Sequence, residues 1–175
     1  MTTPVQGAEQ TQYLTFRLAG EEYAIGILRV REIIEFGTLT TVPAAPPQLR
    51  GVINLRGSVV PVVDLALRFG LPATPITRRT CIIIVEAEVE ADRITVGIIA
   101  ESVNQVVDVL PEDILPPPDF GTHVPTEHLV GMGRTERKFL LILDLDRVLS
   151  PADQAQLAAA EEALVDPLDE VHDGA

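Results

Sequence analysis

The stretch QLRGVINLRGSVVPVVDLALRF, from Gln48 to Phe69, returns in altered form as HLVGMGRTERKFLLILDLDRVL, from His128 to Leu149. A shift of eighty positions aligns the glycine and aspartate positions of the two copies, Gly51 with Gly131 and Asp64 with Asp144. Repetition at a fixed spacing indicates that one small structural unit was built twice. Neither copy carries recognisable reaction chemistry, so the repeat favours a protein that presents surfaces to partners.

The run Val59–Val63 within the first copy is apolar at every position. A strand with one face in water would alternate apolar and polar residues, so this strand is predicted to be covered on both faces. Two interpretations stay open for the second face, which either packs between two halves of the protein or receives a partner.

Short strands separated by turn residues recur through the chain, roughly five in each half. Five strands are too few for a broad sandwich, but they can curl into a small closed barrel that removes exposed sheet edges. The sequence therefore predicts a mainly β fold of two five-stranded barrels packed side by side across an apolar seam. Short helices and a C-terminal helix complete the prediction.

Two segments between the strands follow a helical spacing. The first predicts a short amphipathic helix from apolar residues three and four positions apart, namely Ile27, Val30, Ile33 and Ile34. The second echoes it with Val103, Val106, Val107 and Val109. The echo has no constant shift, because Gly26 matches Gly97 at 71 positions and Val30 matches Val103 at 73.

The predicted domain boundaries follow changes in composition. Residues 1–11 are polar and aperiodic and predict a disordered start. The first barrel is expected at about residues 12–72 and the second at about 79–150. Ser150, Pro151 and Asp153 form a helix-start pattern, which predicts a helix over residues 151–166. Residues 167–175 are expected to form a loose acidic tail.

Charge and composition exclude several classes of partner. The 175 residues carry a net charge of −13, and the last 25 hold seven acids without a lysine or arginine. An acidic chain disfavours binding to nucleic acid or to an anionic membrane surface. No apolar run approaches the ~18 residues that a membrane helix needs, and no signal peptide is visible. With Cys81 as the single cysteine, a cytoplasmic location is expected.

Motifs for catalysis or cofactor binding are missing from the sequence. There is no glycine-rich phosphate loop followed by lysine and no G-x-S-x-G elbow around a serine. The three histidines, His123, His128 and His172, lack the cysteine or carboxylate partners that a metal site needs. We therefore expect no catalytic residue, no metal and no cofactor.

Two side chains have both a structural and a functional interpretation. Arg56 lies at the tip of a two-residue hairpin turn and is either solvated or paired with an acid, for which Glu32 is the candidate. Such a pair would order a surface for docking. Phe120 follows the proline run Pro116–Pro118 and either fastens this loop to the second barrel or contacts a partner.

Several of these segments together resemble CheW, the coupling protein of bacterial chemotaxis, over roughly residues 12–164. The most specific is the NLRG-x-V-x-PVVDL core inside VPAAPPQLRGVINLRGSVVPVVDL, residues 42–65. Others are YAIGILRVREII at 23–34, VGIIAESVNQVVDV at 96–109, ILPPPDF at 114–120, HLVGMG at 128–133 and LLILDLDRVL at 140–149. The resemblance implies two SH3-like barrels and an adaptor without catalysis.

The resemblance also implies partners and site residues. The family joins the cytoplasmic tips of methyl-accepting chemoreceptors to the regulatory domain of the histidine kinase CheA, with further CheW-like domains in array rings. Val30, Val103 and Val106 match receptor-groove positions. Glu32 and Arg56 match a charged pair that supports the first barrel's kinase contact, and Phe120 matches a position at the second, ring-closing contact.

The sequence departs from the family pattern at the predicted seam and at its C-terminus. Ala100-Glu101 stands where the family usually has Val-Asp, and the acidic tail is not a family hallmark. The leading hypothesis is a non-enzymatic adaptor between chemoreceptors and CheA. The alternative is a small-ligand-binding or enzymatic β-barrel protein whose seam forms a pocket, which would need convergent polar groups there.

Overall fold

The computed structural model describes residues 11–89, 91–117 and 124–149, and in this part of the chain the fold is mainly β. A six-stranded sheet contains β1 (Gln12–Leu18), β2 (Glu21–Gly26), β8 (Ser102–Asp108), β9 (Ile114–Leu115), β10 (Leu129–Arg134) and β11 (Phe139–Leu143). A five-stranded sheet contains β3 (Val30–Glu35), β4 (Leu49–Leu55), β5 (Ser58–Val63), β6 (Cys81–Val89) and β7 (Asp92–Ala100). Two four-residue helices follow the repeated hairpins, α1 (Leu65–Arg68) and α2 (Leu145–Val148).

The two sheets have the same topology. The strand order is β3-β6-β7-β5-β4 in one and β8-β1-β2-β11-β10-β9 in the other. Each contains one parallel pair, β5 with β7 and β11 with β2. The register shows the repeat directly, because Val62 opposes Gly97 and Ile142 opposes Ala24. The second copy of the hairpin therefore occupies the same place in its own sheet.

This register also corrects the predicted alignment of the weaker repeat. Gly97 is equivalent to Ala24, at a shift of 73, and not to Gly26 at a shift of 71. The same shift of 73 relates Val30 to Val103, and both β3 and β8 carry a bulge one residue further along. The structural repeat therefore has a constant shift where the sequence match had two.

The sheets do not follow the predicted division of the chain between residues 72 and 79. The hairpin β1–β2 comes from the first half of the chain but pairs with β8 and β11 from the second. The hairpin β6–β7 comes from the second half and pairs with β3 and β5 from the first. The two halves of the chain thus exchange one hairpin each. The prediction of two consecutive barrels did not contain this exchange.

Three apolar clusters explain how two sheets make two barrels. The largest lies between the sheets and includes Phe16, Tyr23, Ile83 and Ile98. A second lies on the far face of the five-stranded sheet, where both edge strands contribute to it. A third lies on the far face of the six-stranded sheet, with contributions from edge strands β8 and β9. Each sheet therefore curls around its own small core, and the large cluster forms the seam between them.

The strand Val59–Val63 is covered on both faces, as its composition predicts. Val60 and Val62 belong to the far-face cluster, whereas Val59 and Val63 pack into the seam. Of the two interpretations of its second face, the structure supports packing between the two halves. Most of the stabilisation at the seam comes from such burial, at roughly 1.5–3 kcal/mol for each fully buried aliphatic side chain.

The helix predicted over residues 27–34 is wrong. Only Ile27–Arg29 forms a single 3-10 turn, and Val30–Glu35 is strand β3. The segment with Val103 and Val106 is likewise a strand, β8. The β-branched residues in both segments favour a strand. The apolar spacing fits a helix and a strand about equally well, and the backbone hydrogen bonds of β3 to β6 and of β8 to β1 determine that both segments are strands.

Candidate docking surfaces

The predicted receptor-groove residues lie on the two equivalent edge strands of the molecule. Val30 begins β3, and Val103 and Val106 lie on β8. Val30 and Val103 are half-buried and pack against the seam cluster, whereas 48% of Val106 is exposed. The structure thus brings Val30 and Val103 to the same apolar core and leaves Val106 at the surface.

The two edge strands approach each other at Cys81. Cys81 opposes Glu35, the last residue of β3, and its thiol lies beside the backbone of Val103 on β8. Burial raises the pKa of the Cys81 thiol, while the hydrogen bond with the Val103 backbone acts in the opposite direction. A half-buried thiol with a raised pKa is a poor nucleophile, which agrees with a structural role.

Sequence reasoning missed two exposed apolar residues on the same edge. Ile33 is 43% exposed on β3, and Leu28 is 67% exposed in the 3-10 turn that precedes this strand. The helical interpretation placed Ile33 on the buried face. Read as a strand, residues 30–35 alternate in exposure, and Arg31, Ile33 and Glu35 are the exposed positions.

The hairpin tip at Arg56 has the predicted ion pair. Arg56 donates two hydrogen bonds to the Glu32 carboxylate, at 2.6 and 2.9 Å. The turn itself is well specified, because Arg56 and Gly57 both have positive φ, at 53° and 88°, and the Gly57 N–H donates to Asn54 Oδ1. The turn therefore aims the guanidinium back across the sheet to β3.

Electrostatics at this pair match its geometry. The hydrogen bonds from Arg56 are the main reason why the pKa of Glu32 is lowered, and those to Glu32 raise the pKa of Arg56. Because 73% of the Arg56 side chain is exposed, the pair contributes little to stability. Its effect is to fix two charged side chains in one arrangement at the surface.

Phe120, the remaining predicted site residue, lies outside the described residues. On the six-stranded sheet, the structure shows two exposed apolar side chains that the sequence did not single out. Phe139 is 53% exposed and Val130 is 50% exposed, both in the second copy of the repeat. Their counterparts at the eighty-residue shift are Val59, which packs into the seam, and Arg50, which binds Asp64.

Over residues 11–89, 91–117 and 124–149, no group of three histidine, cysteine or acidic side chains could hold a metal ion. No helix in this part of the chain is long and apolar enough to span a membrane. A hollow of about 300 Å³ beside α2 is open to solvent and lined in part by Arg29, Val130 and Asp144. The seam cluster is built from aliphatic and aromatic side chains.

Comparison with known proteins gives one consistent result. The CheW-like domain family matches residues 12–153. Chemotaxis protein CheW of Bacillus subtilis is 35% identical over 166 residues, which cover 93% of this chain and 100% of the relative. Chemotaxis protein CheW of Klebsiella aerogenes is 33% identical over 144 residues, covering 82% and 84%. The crystal structure of the scaffolding protein TtCheW from Thermoanaerobacter tengcongensis superposes with a TM-score of 0.71 at 30% identity, covering 82% of this chain and 90% of that one.

Proposed function

The chain belongs to the CheW-like family of chemotaxis adaptor proteins, and from this premise we propose that it joins chemoreceptors to the histidine kinase CheA. The observation that carries the proposal is the contrast between a closed seam and apolar, exposed edge strands beside it. The seam residues are buried in a core, whereas exposed edges can receive another protein.

The receptor contact is proposed for the edge strands β3 and β8. Val30 and Val103 form the half-buried floor, and Val106 supplies an exposed aliphatic surface. An amphipathic helix of a chemoreceptor's cytoplasmic tip binds such a surface by laying apolar residues against it. Ile33 extends the same surface along β3 and joins the proposed contact.

The kinase contact is proposed for the hairpin tip at Arg56. Its guanidinium and the Glu32 carboxylate are joined by two hydrogen bonds, so the two side chains are already arranged before binding. The partner is the regulatory domain of CheA. Phe120 is proposed for a second contact that closes rings, either with the kinase or with further CheW-like domains.

Assembly of several such contacts explains the proposed mechanism. Two barrels and the edges between them give separate faces, so one molecule can hold a receptor and a kinase together without catalysis. Weak individual contacts suffice, because an array raises the effective concentration of each partner. The receptor's state then shifts the population of kinase conformations. The location is the cytoplasm, beneath membrane receptor arrays.

The alternative of a small-ligand or enzymatic barrel is less well supported. It requires polar groups that converge on a pocket in the seam. The seam cluster is aliphatic and aromatic, and the hollow beside α2, which Leu143 and Leu145 of that cluster help to line, is open to solvent.

The test is a binding measurement with two variants that separate the two contacts. Arg56→Asp places an acid beside Glu32, so we expect the affinity for the CheA regulatory domain to fall by at least about tenfold through like-charge repulsion. Val106→Met enlarges an exposed side chain on β8, so we expect weaker receptor binding and unchanged kinase binding. Isothermal titration with each purified partner measures both.

Matched controls make the result specific. Arg93→Asp changes an exposed arginine, also paired with acids, at the far tip of the β6–β7 hairpin. Val130→Met enlarges an exposed valine on β10, which is separated from β8 by three strands of the same sheet. Neither control is expected to weaken binding. If all four variants bind both partners as the native chain does, the site assignments are wrong.

A further inference from the structure

The loop from Pro72 to Arg79, which connects α1 to β6, carries an unusual surface for so acidic a chain. Arg78 and Arg79 are its only charged residues, and both are exposed. Within residues 11–89, 91–117 and 124–149 neither makes an ion pair, whereas Arg29, Arg50 and Arg56 do. Ile76 beside them is 49% exposed. The loop thus presents two uncompensated positive charges next to an apolar side chain.

Buried threonines hold this loop in place at both ends. Thr74 is 3% exposed and donates to the buried Asp64 carboxylate from its backbone N–H and its hydroxyl. Thr80 is 3% exposed; its hydroxyl donates to the Pro75 carbonyl at 2.9 Å and accepts from the Thr77 N–H at 2.8 Å. A loop fixed in this way loses little conformational entropy when it binds, so its exposed side chains form a prepared surface.

We propose that this loop binds the chain's own acidic segment, residues 161–170. That segment reads EEALVDPLDE and places five acids around Leu164, Val165 and Leu168. The acids are opposite in charge to Arg78 and Arg79, and the aliphatic residues can pack against Ile76. This contact goes beyond the proposed adaptor function, in which the C-terminal segment has no part.

The distance is within reach of the chain. Asp146 in α2 accepts a hydrogen bond from the Glu88 N–H, so α2 lies at the far end of β6. The strand from Glu88 back to Cys81 spans about 23 Å at ~3.3 Å per residue. Glu161 follows Leu149 by twelve residues, which reach up to about 40 Å when extended. The acids can therefore reach the end of the loop, where Arg78 and Arg79 precede Cys81.

The native chain has no tryptophan, so Leu168→Trp in the full-length protein provides a single fluorescent reporter. We expect acrylamide quenching of this tryptophan to rise about twofold when Arg78→Gln and Arg79→Gln are added, and to rise similarly in 1 M NaCl, since salt screens exposed charges. The matched control combines Arg93→Gln and Arg137→Gln, which remove two exposed arginines elsewhere. The control should leave quenching unchanged.

A second measurement removes the dependence on the reporter. The Ile76 δ1 methyl resonance of the otherwise native chain should shift when Glu161, Glu162, Asp166, Asp169 and Glu170 are changed to their amides. An unshifted resonance, or equal quenching in the loop and control variants, would overturn the contact. Quenching that depends on protein concentration would overturn the intramolecular contact in favour of a second copy.

Discussion

The aspartates of the two repeat copies occupy equivalent positions but have different surroundings. Asp64 is fully buried and accepts hydrogen bonds from the Ala66 N–H, from the Thr74 N–H and hydroxyl, and from Arg50 at 3.0 Å. Among the described residues, Asp144 is 30% exposed, has a single ion-pair contact at 3.7 Å with Arg147 and does not cap α2 with its side chain. The backbone N–H of each aspartate nevertheless makes the same bond, to Gln48 in one copy and His128 in the other.

The difference shows which parts of the duplicated unit the fold requires. Backbone pairing is the same in both copies, and so is the glycine at the third position of each hairpin, Gly51 and Gly131. The polar network around the aspartate is not retained, because Arg50 is replaced by Val130 in the second copy. The first copy thus carries a buried, fully bonded carboxylate, whereas the second leaves an open hollow at the same place.

The largest effect expected from this difference is on stability. Asp64→Ala removes the shared acceptor and leaves Arg50 and Thr74 without it, so we expect the free energy of unfolding to fall by about 3–5 kcal/mol. Asp144→Ala should lower it by less than about 1 kcal/mol, since that carboxylate is partly solvated. Urea denaturation of both variants measures the contrast. Equal losses would show that the two sites are not as different as their contacts indicate.

Both copies contain a glycine that lies against a backbone carbonyl, so replacing either glycine should lower the stability by a similar amount. A Cβ on Gly51 would lie 2.6 Å from the Thr40 carbonyl oxygen, and one on Gly131 would lie 2.5 Å from the Leu115 carbonyl oxygen. Backbone must move in each case, so Gly51→Ala and Gly131→Ala should each destabilise by about 1–3 kcal/mol.

Gly37→Ala is the control for this pair, because a Cβ at Gly37 meets nothing within 4 Å. Thermal unfolding of the three variants measures the effect. A tolerated alanine at either repeated glycine would contradict the close approach in that copy.

The smallest effect is expected from restoring the missing partner. Val130→Arg gives the second copy the arginine that the first has at position 50, facing the hollow that Asp144 lines. Since Asp144 is partly exposed, we expect a gain in the free energy of unfolding of up to about 1 kcal/mol, which disappears in 1 M salt. Val130→Met controls for added side-chain volume. A gain that persists at high salt would assign the effect to packing.

Much of the fold could be predicted from local sequence. The repeat, the strands around Val59–Val63 and the hairpin turn at Arg56-Gly57 are specified by residues close in the chain. The partner of Arg56 was also predicted, although on a helix, and the structure places Glu32 on β3 instead. The pair survives that error because Glu32 faces away from the seam in either secondary structure.

The remaining features of the fold and of the docking surfaces depend on contacts between residues far apart in sequence. Spacing alone does not separate a helix from a strand in residues 27–34, and pairing with β6 decides the matter. Likewise, no local signal shows that β1–β2 pairs with β8 and β11. The exposure of Ile33 and Phe139 follows from those pairings, so these two surface residues were missed.

The exchange of hairpins has a consequence for biosynthesis. As the ribosome releases the chain from its N-terminus, β1 and β2 emerge first, yet both of their outer neighbours are made after residue 101. The early hairpin therefore waits with two unpaired edges, and such late, long-range closure is slow. A ribosome-bound fragment that stops near residue 75 contains every strand predicted for one barrel, but it has neither β6–β7 nor β8–β11 and should not become protease-resistant until the last hairpin has emerged.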